Sequence, residues 1–332
     1  MYYAGLDRAL VWLRRRRTRV LVYHACETEE NQSVADLRSN TPPALFALHL
    51  AMLARMYRIV PLDALARDDR PDRALAITFD DGYASVYEHA FPLLERYNVP
   101  ATVFVVSSAI DQLAPVWVNE LNALLRQCSE GTIRQLAATL GLDAWADAAA
   151  ILSHACYQCD ADAVAKLIAR AKDAVDASGA DRPPARPLYL TWPQVEEMRR
   201  AGITFGNHTA THPNLRLLVD RAIRDEIKTC HDQLSRRLDR VTSFAYPFGL
   251  TDSRARAVAI ALGYTIIAEV GAQSRRHDPT RLGRVPVADQ SPAALFADLE
   301  VVEPLKAALR QAVSRVLRAF RSSIPDPSDL AV

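Results

Sequence analysis

Short apolar runs rich in strand-forming residues recur along this chain at 20–24, 75–79, 101–106, 203–206, 242–246, 264–268 and 283–287. Most are separated by stretches with helical periodicity, at 43–57, 84–97, 192–201, 216–238 and 252–262. This alternation implies a parallel β/α architecture. Gly202 and Gly263 stand where helix C-terminal caps are expected before the next strands. Seven runs fall short of a regular eight-fold barrel. With 332 residues and 50% hydrophobic content, the chain has material for one large α/β domain.

Residues 107–190 break the rhythm with about three helical patterns and no strand, ending in the Pro-rich Arg182-Pro-Pro-Ala-Arg-Pro187. This insertion reads either as a lid over a site or as a helical layer packed on the barrel wall. Trp117 and Trp145 within it suit core positions better than sugar contacts, though aromatic faces serve both. At the C-terminus, within a tail of 291–332, Leu305, Leu309, Val313, Val316, Leu317 and Phe320 share one face of a basic amphipathic helix from Leu305 to Arg321. Such a helix docks on the barrel or a partner subunit, or lies on an anionic membrane surface. The N-terminal segment 1–17, with Val11-Trp12-Leu13 before Arg14 to Arg17, adds weight to the membrane.

Lys and Arg total 40 against 39 Asp and Glu, a net charge of +1, so no overall field favours nucleic acid. Five Cys, an odd number, argue against a disulfide framework and suit a reducing compartment. The basic cluster follows rather than precedes the N-terminal apolar piece, which is unlike a signal peptide, and cytoplasm is the expected location. Cys156-Tyr-Gln-Cys159, even with His154 close by, lacks the further ligands of a zinc site and reads as helical thiols. His49, His89, His231 and His277 read as surface or packing residues.

Two segments carry chemistry. Ala74-Leu-Ala-Ile-Thr-Phe-Asp-Asp-Gly-Tyr83 is a strand that ends in an acidic doublet, which places Asp80 and Asp81 at the carboxyl end where α/β barrels keep their catalytic groups. Gly206-Asn-His-Thr-Ala-Thr-His-Pro213 holds His208 and His212 four apart, close enough to share one ion from a helical turn or tight loop, with a carboxylate as third ligand. Adjacent strand residues point oppositely, so one Asp as ligand and the other as base fits better than two ligands.

These segments resemble the polysaccharide deacetylases of carbohydrate esterase family 4, which carry the NodB homology domain. Thr78-Phe-Asp-Asp-Gly82 resembles the family's first motif, which implies Asp80 as base and Asp81 as metal ligand. His208-Thr-Ala-Thr-His212 is similar to the second motif, whose two ends complete the metal triad. Phe244-Ala-Tyr-Pro-Phe-Gly249 resembles the third, which implies the Phe248 backbone N–H as an oxyanion donor. Val20-Leu-Val-Tyr-His24 and Arg281-Leu-Gly-Arg-Val-Pro-Val287 extend the resemblance over residues 18–290, and the fold implied is a distorted or incomplete (β/α)7 barrel.

Two positions depart from the pattern. The third motif usually begins with an Arg that braces the base, and Ala245 stands there, so another cation must serve, with Arg284 as the candidate. The late His that acts as general acid has no counterpart after Arg284, and His24 is the candidate replacement. The resemblance implies a metal-dependent N-deacetylase of N-acetylated sugars in glycan or surface-polysaccharide synthesis. Its substrate is a glycan or a carrier-linked sugar, and with no export signal a sugar on a nucleotide or lipid carrier is expected in preference to a finished wall polymer. Zinc suits the ligand set, and cobalt or nickel fits the same ligands. The alternatives are a glycan-binding module of this fold without turnover and a metal hydrolase of another amide or ester. Oligomeric state leaves no mark in the sequence.

Overall fold

A computed structural model describes residues 6–28, 33–179, 187–271 and 278–309. Its strands are β1 (Arg19–Tyr23), β2 (Arg58–Ile59), β3 (Ala74–Phe79), β4 (Thr102–Val105), β5 (Thr204–Asn207), β6 (Ser243–Ala245), β7 (Ile266–Val270) and β8 (Leu282–Pro286). They run parallel in the order β1-β8-β7-β6-β5-β4-β3, and β1 pairs with β3, Leu21 opposite Ile77, to close a seven-strand ring. The barrel is therefore closed, not incomplete. The two residues of β2 pair only with β3, outside the ring.

Both faces of these strands are covered, which is why each reads as an unbroken apolar run. Val20, Ala76, Phe104, Ala245, Ala268 and Leu282 meet inside the barrel, with Leu62 and Leu65 of a short 3-10 turn packed against them. The small side chains among them leave interior room for Arg284. Gly206 is required by the same packing, since a Cβ there would lie 2.5 Å from the Phe104 ring.

Outside the ring pack α2 (Pro43–Met56), α3 (Phe91–Tyr97), α8 (Trp192–Arg200), α9 (Asp220–Ser235), α10 (Ser253–Ala261) and α11 (Pro292–Ala297); α1 (Leu6–Leu13) precedes β1. On α9, Ile223, Ile227, Cys230 and Leu234 recur at helical spacing and are buried. A capping box, Thr191 with Gln194, starts α8.

The insertion holds four helices, one more than its periodicity suggests: α4 (Trp117–Gln127), α5 (Glu130–Thr139), α6 (Ala148–Gln158) and α7 (Ala161–Ser178). The short α5 hides in the sequence because its apolar content is slight. The four bury their own cluster, including Leu121, Leu125, Ile151, Leu167 and Val175. Cys156 and Cys159 sit at the C-terminal end of α6 as free thiols. Most of the Pro-rich 182–187 stretch and of the amphipathic 305–321 stretch lies outside the described residues, as does His277. Leu305 and Leu309 are described and exposed, like Trp12 and Leu13. No helix among the described residues is long and apolar enough to cross a membrane.

At the amino end of the barrel Arg19 and Glu300 form a buried ion pair at 2.5 Å, and the Tyr57 hydroxyl donates to the same carboxylate at 2.9 Å. This pair ties the segment after α11 to β1. Removing one partner strands the other charge out of water, which costs about 3–5 kcal/mol. Glu300→Ala is expected to lower the urea midpoint accordingly, and an unchanged midpoint would show that Arg19 finds solvent.

Candidate metal centre and active site

Asp80 is the first residue past β3, and its N–H donates to the Tyr23 carbonyl at 2.9 Å. Strand alternation would send Asp81 the opposite way. It does not, because Asp81 and Gly82 are both left-handed, with φ of 69° and 75°, and the turn brings the second carboxylate round beside the first. Asp tolerates this region better than most side chains, at roughly 1–2 kcal/mol. At Gly82 a Cβ would lie 3.0 Å from Val105 Cγ1. The expectation that the two carboxylates diverge is thus corrected.

The histidines follow β5 on a tight loop, not a helical turn, with Thr209 and His212 also left-handed at φ 71° and 62°. Hydrogen bonds hold this shape. Asn207 Oδ1 accepts from the Thr209 N–H at 2.7 Å, and the Thr209 hydroxyl oxygen accepts from the His212 N–H at 3.0 Å. From α9, Glu226 accepts from the N–H groups of Ala210 and Thr211 at 3.0 and 2.9 Å. Neither Asn207 nor Glu226 stood out in the sequence; adjacency to His208 is the one signal for the first, and the second has none.

His208 Nδ1 donates to the Ala245 carbonyl at 2.9 Å, which leaves Nε2 as the free donor atom. Asp81 Oδ1 lies 3.4 Å from Nε2 of both His208 and His212. That oxygen is buried without a hydrogen-bond partner. Ligands on a tetrahedral zinc with bonds of about 2.0–2.1 Å stand about 3.3 Å apart, which matches the separation of Asp81 Oδ1 from each nitrogen, and all three atoms lie within 4.8 Å of one another. Among the described residues this is the one His/Cys/Asp/Glu group with metal-holding geometry.

Arg284 reaches Asp80 through the barrel interior. Its Nη1 and Nη2 donate to the two carboxylate oxygens at 2.6 and 2.7 Å, and Nη1 also reaches Thr78 Oγ1 at 3.2 Å. The guanidinium is fully buried and lies over the Phe104 ring. His24, one residue past β1, is half-buried with Nδ1 unpartnered. Phe248 sits left-handed in the turn Pro247–Gly249 after β6, its ring edge-on to His212 at 4.6 Å. Asp80, Asp81, His208, His212, Arg284 and Phe248 are thus linked to one another in a single group.

Burial pushes both carboxyls up, but their neighbours outweigh it. Arg284 and His208 hold Asp80 below the usual carboxylate range, and His208, His212 and His24 do the same for Asp81. For His212 burial prevails and lowers it to about 4, which leaves a neutral imidazole suited to a metal. Burial also depresses His208, but Asp80 and Asp81 overcome that and raise it.

A family model described as polysaccharide deacetylase matches residues 67–267. The chain belongs to the polysaccharide deacetylase family. Its curated relatives include YxkH of Bacillus subtilis, which bears a polysaccharide deacetylase name and is 30% identical over 97 residues, 27% of this chain and 32% of that protein. Poly-beta-1,6-N-acetyl-D-glucosamine N-deacetylase of Staphylococcus aureus is 38% identical over 42 residues, 13% of this chain and 14% of that one. The matches thus span a third or less of these relatives. Among solved structures, IcaB from Ammonifex degensii superposes with a TM-score of 0.57 at 20% identity, covering 86% of this chain and 97% of that one. Streptococcus pyogenes deacetylase PplD in complex with acetate gives 0.56 at 19%, covering 85% and 98%. These two share the fold. The family match takes in Asp80, Asp81, His208, His212 and Phe248 and leaves out His24 and Arg284.

Proposed function

We propose that this polysaccharide deacetylase family member is a metal-dependent N-deacetylase acting on the N-acetylated sugars of a surface polysaccharide. The observation that carries this is Asp81 Oδ1 poised 3.4 Å from two imidazole nitrogens, beside a second carboxylate held bidentately by a buried Arg. The name of the Staphylococcus aureus relative favours a polymer over a carrier-linked sugar as substrate.

Asp81, His208 and His212 would hold a divalent ion, with zinc the best fit to one carboxylate and two imidazoles. That ion supplies Lewis acidity toward an acetyl carbonyl and acidifies a water. Asp80 takes the attacking water's proton, and Arg284 fixes the carboxylate while each oxygen keeps a lone pair for that task. The Phe248 N–H would donate to the developing oxyanion. His24 gives its proton to the departing amine, a general-acid role that imidazoles commonly fill. The absent brace and absent late His both favour the rival reading of a non-catalytic module, and Arg284 on Asp80 removes the first of these.

Purified protein should release acetate from an oligomer of β-1,6-linked N-acetylglucosamine and carry one divalent ion per chain. An absence of release from any acetylated sugar, with metal bound, would turn the reading toward another amide or ester. His24→Ala is expected to lower the rate about 10²- to 10³-fold with metal content unchanged. A rate near that of the parent removes His24 as the acid.

A further inference from the structure

Two helices of the insertion reach the metal loop. Trp117, the first residue of α4, donates from Nε1 to the His212 carbonyl at 2.9 Å. Asn214, just past that loop, donates from Nδ2 to the Cys156 carbonyl on α6 at 3.0 Å. The insertion is therefore fastened to the metal-binding loop at two points.

Those fastenings line up rings. Phe248 lies 4.6 Å from the His212 ring, and Trp117 and Tyr157 lie 5.9 and 6.3 Å from Phe248. Trp117 is partly buried with its N–H spent on the loop, so it backs the row rather than fronting it. Tyr157, next to the Cys156 anchor, is 47% exposed and stands at the outer end. Trp145 of the same insertion is exposed as well, at 93%, but only Tyr157 of these two has a ring contact with Phe248 beside the metal loop, and that position rather than exposure alone makes it a candidate sugar contact.

We propose that Phe248 and Tyr157, backed by Trp117, form a glycan subsite that stacks on the sugar next to the one being deacetylated. This rests on the proposed deacetylase reading and deepens it: the insertion makes the enzyme prefer an oligomer to a single sugar. A pyranose has an apolar C–H face that an aromatic ring covers while the hydroxyls at its edge stay wet, as suits a ring with one apolar and one solvated side. His212, Asp81 and Asp80 read only the acetyl group, so discrimination between one sugar and several must come from such a wall.

The test measures dissociation constants by calorimetry, for N-acetylglucosamine and for its β-1,6-linked oligomer, on the full chain and on Tyr157→Ala and Tyr157→Phe. Acetate release is followed in parallel. The oligomer should bind about 5- to 10-fold more weakly to Tyr157→Ala. The monosaccharide, the metal content and the Tyr157→Phe variant should match the parent. Equal oligomer affinity in Tyr157→Ala, or equal loss for monosaccharide and oligomer, overturns the subsite. Oligomer binding that depends on Tyr157 without acetate release would sustain the subsite and instead overturn the deacetylase reading.

Discussion

Asp80→Asn is expected to keep its metal ion and to lose acetate release by about 10⁴-fold, the upper end of what general acid–base catalysis supplies. The side chain does not belong to the metal-holding triad, since both its oxygens accept from Arg284, and Oδ2 stands 3.8 Å from His208 Nε2. An amide in its place has no lone pair basic enough to take a proton from water. It also turns an NH2 toward Arg284, whose two nitrogens now donate to both oxygens. The buried guanidinium then lacks its counter-charge, a loss of about 3–5 kcal/mol, so the urea midpoint should fall along with the rate. Measuring metal content, midpoint and rate on the same sample separates these effects. Turnover within about tenfold of the parent, with metal bound, would take the base role from Asp80.

The barrel was legible because parallel strands covered on both faces leave apolar runs that no amphipathic helix imitates. Strand β2 was not, since two residues carry no pattern. The metal residues were legible as motifs, yet the reason Asp81 joins His208 and His212 was hidden: a left-handed backbone at Asp81 overrides the alternation on which the division of labour was reasoned. Arg284 could be singled out only because Ala245 occupies the place where a brace was wanted. The contacts of Glu226, Trp117 and Tyr157 with the site's loops link residues 15 to 95 positions apart in the chain. Nothing local in the sequence encodes such meetings. Trp117 read as a core residue, and it is half of each, partly buried among the insertion's apolar residues while donating to the metal loop.

Loss of the ion should cost more than loss of any other single part. Asp81→Ala and His212→Ala are each expected to purify without stoichiometric metal and with no acetate release above background. Chelation of the parent should reproduce the inactivity, and restoring zinc should reverse it. Each ligand is buried. Removing one leaves two donors, and a site built from Asp81 Oδ1 at 3.4 Å from both imidazoles has no spare group to take its place, because Asp80 is committed to Arg284. The same geometry predicts a stability signature independent of catalysis. An ion that binds the folded chain and not the unfolded one adds RT ln(1 + [L]/Kd), about 2.7 kcal/mol at a free concentration 100 times Kd. Chelator should therefore lower the melting temperature of the parent and leave that of His212→Ala unmoved. A parent protein that melts at the same temperature with and without chelator, or a His212→Ala variant with full metal content, would mean that the ion is held elsewhere than by Asp81, His208 and His212.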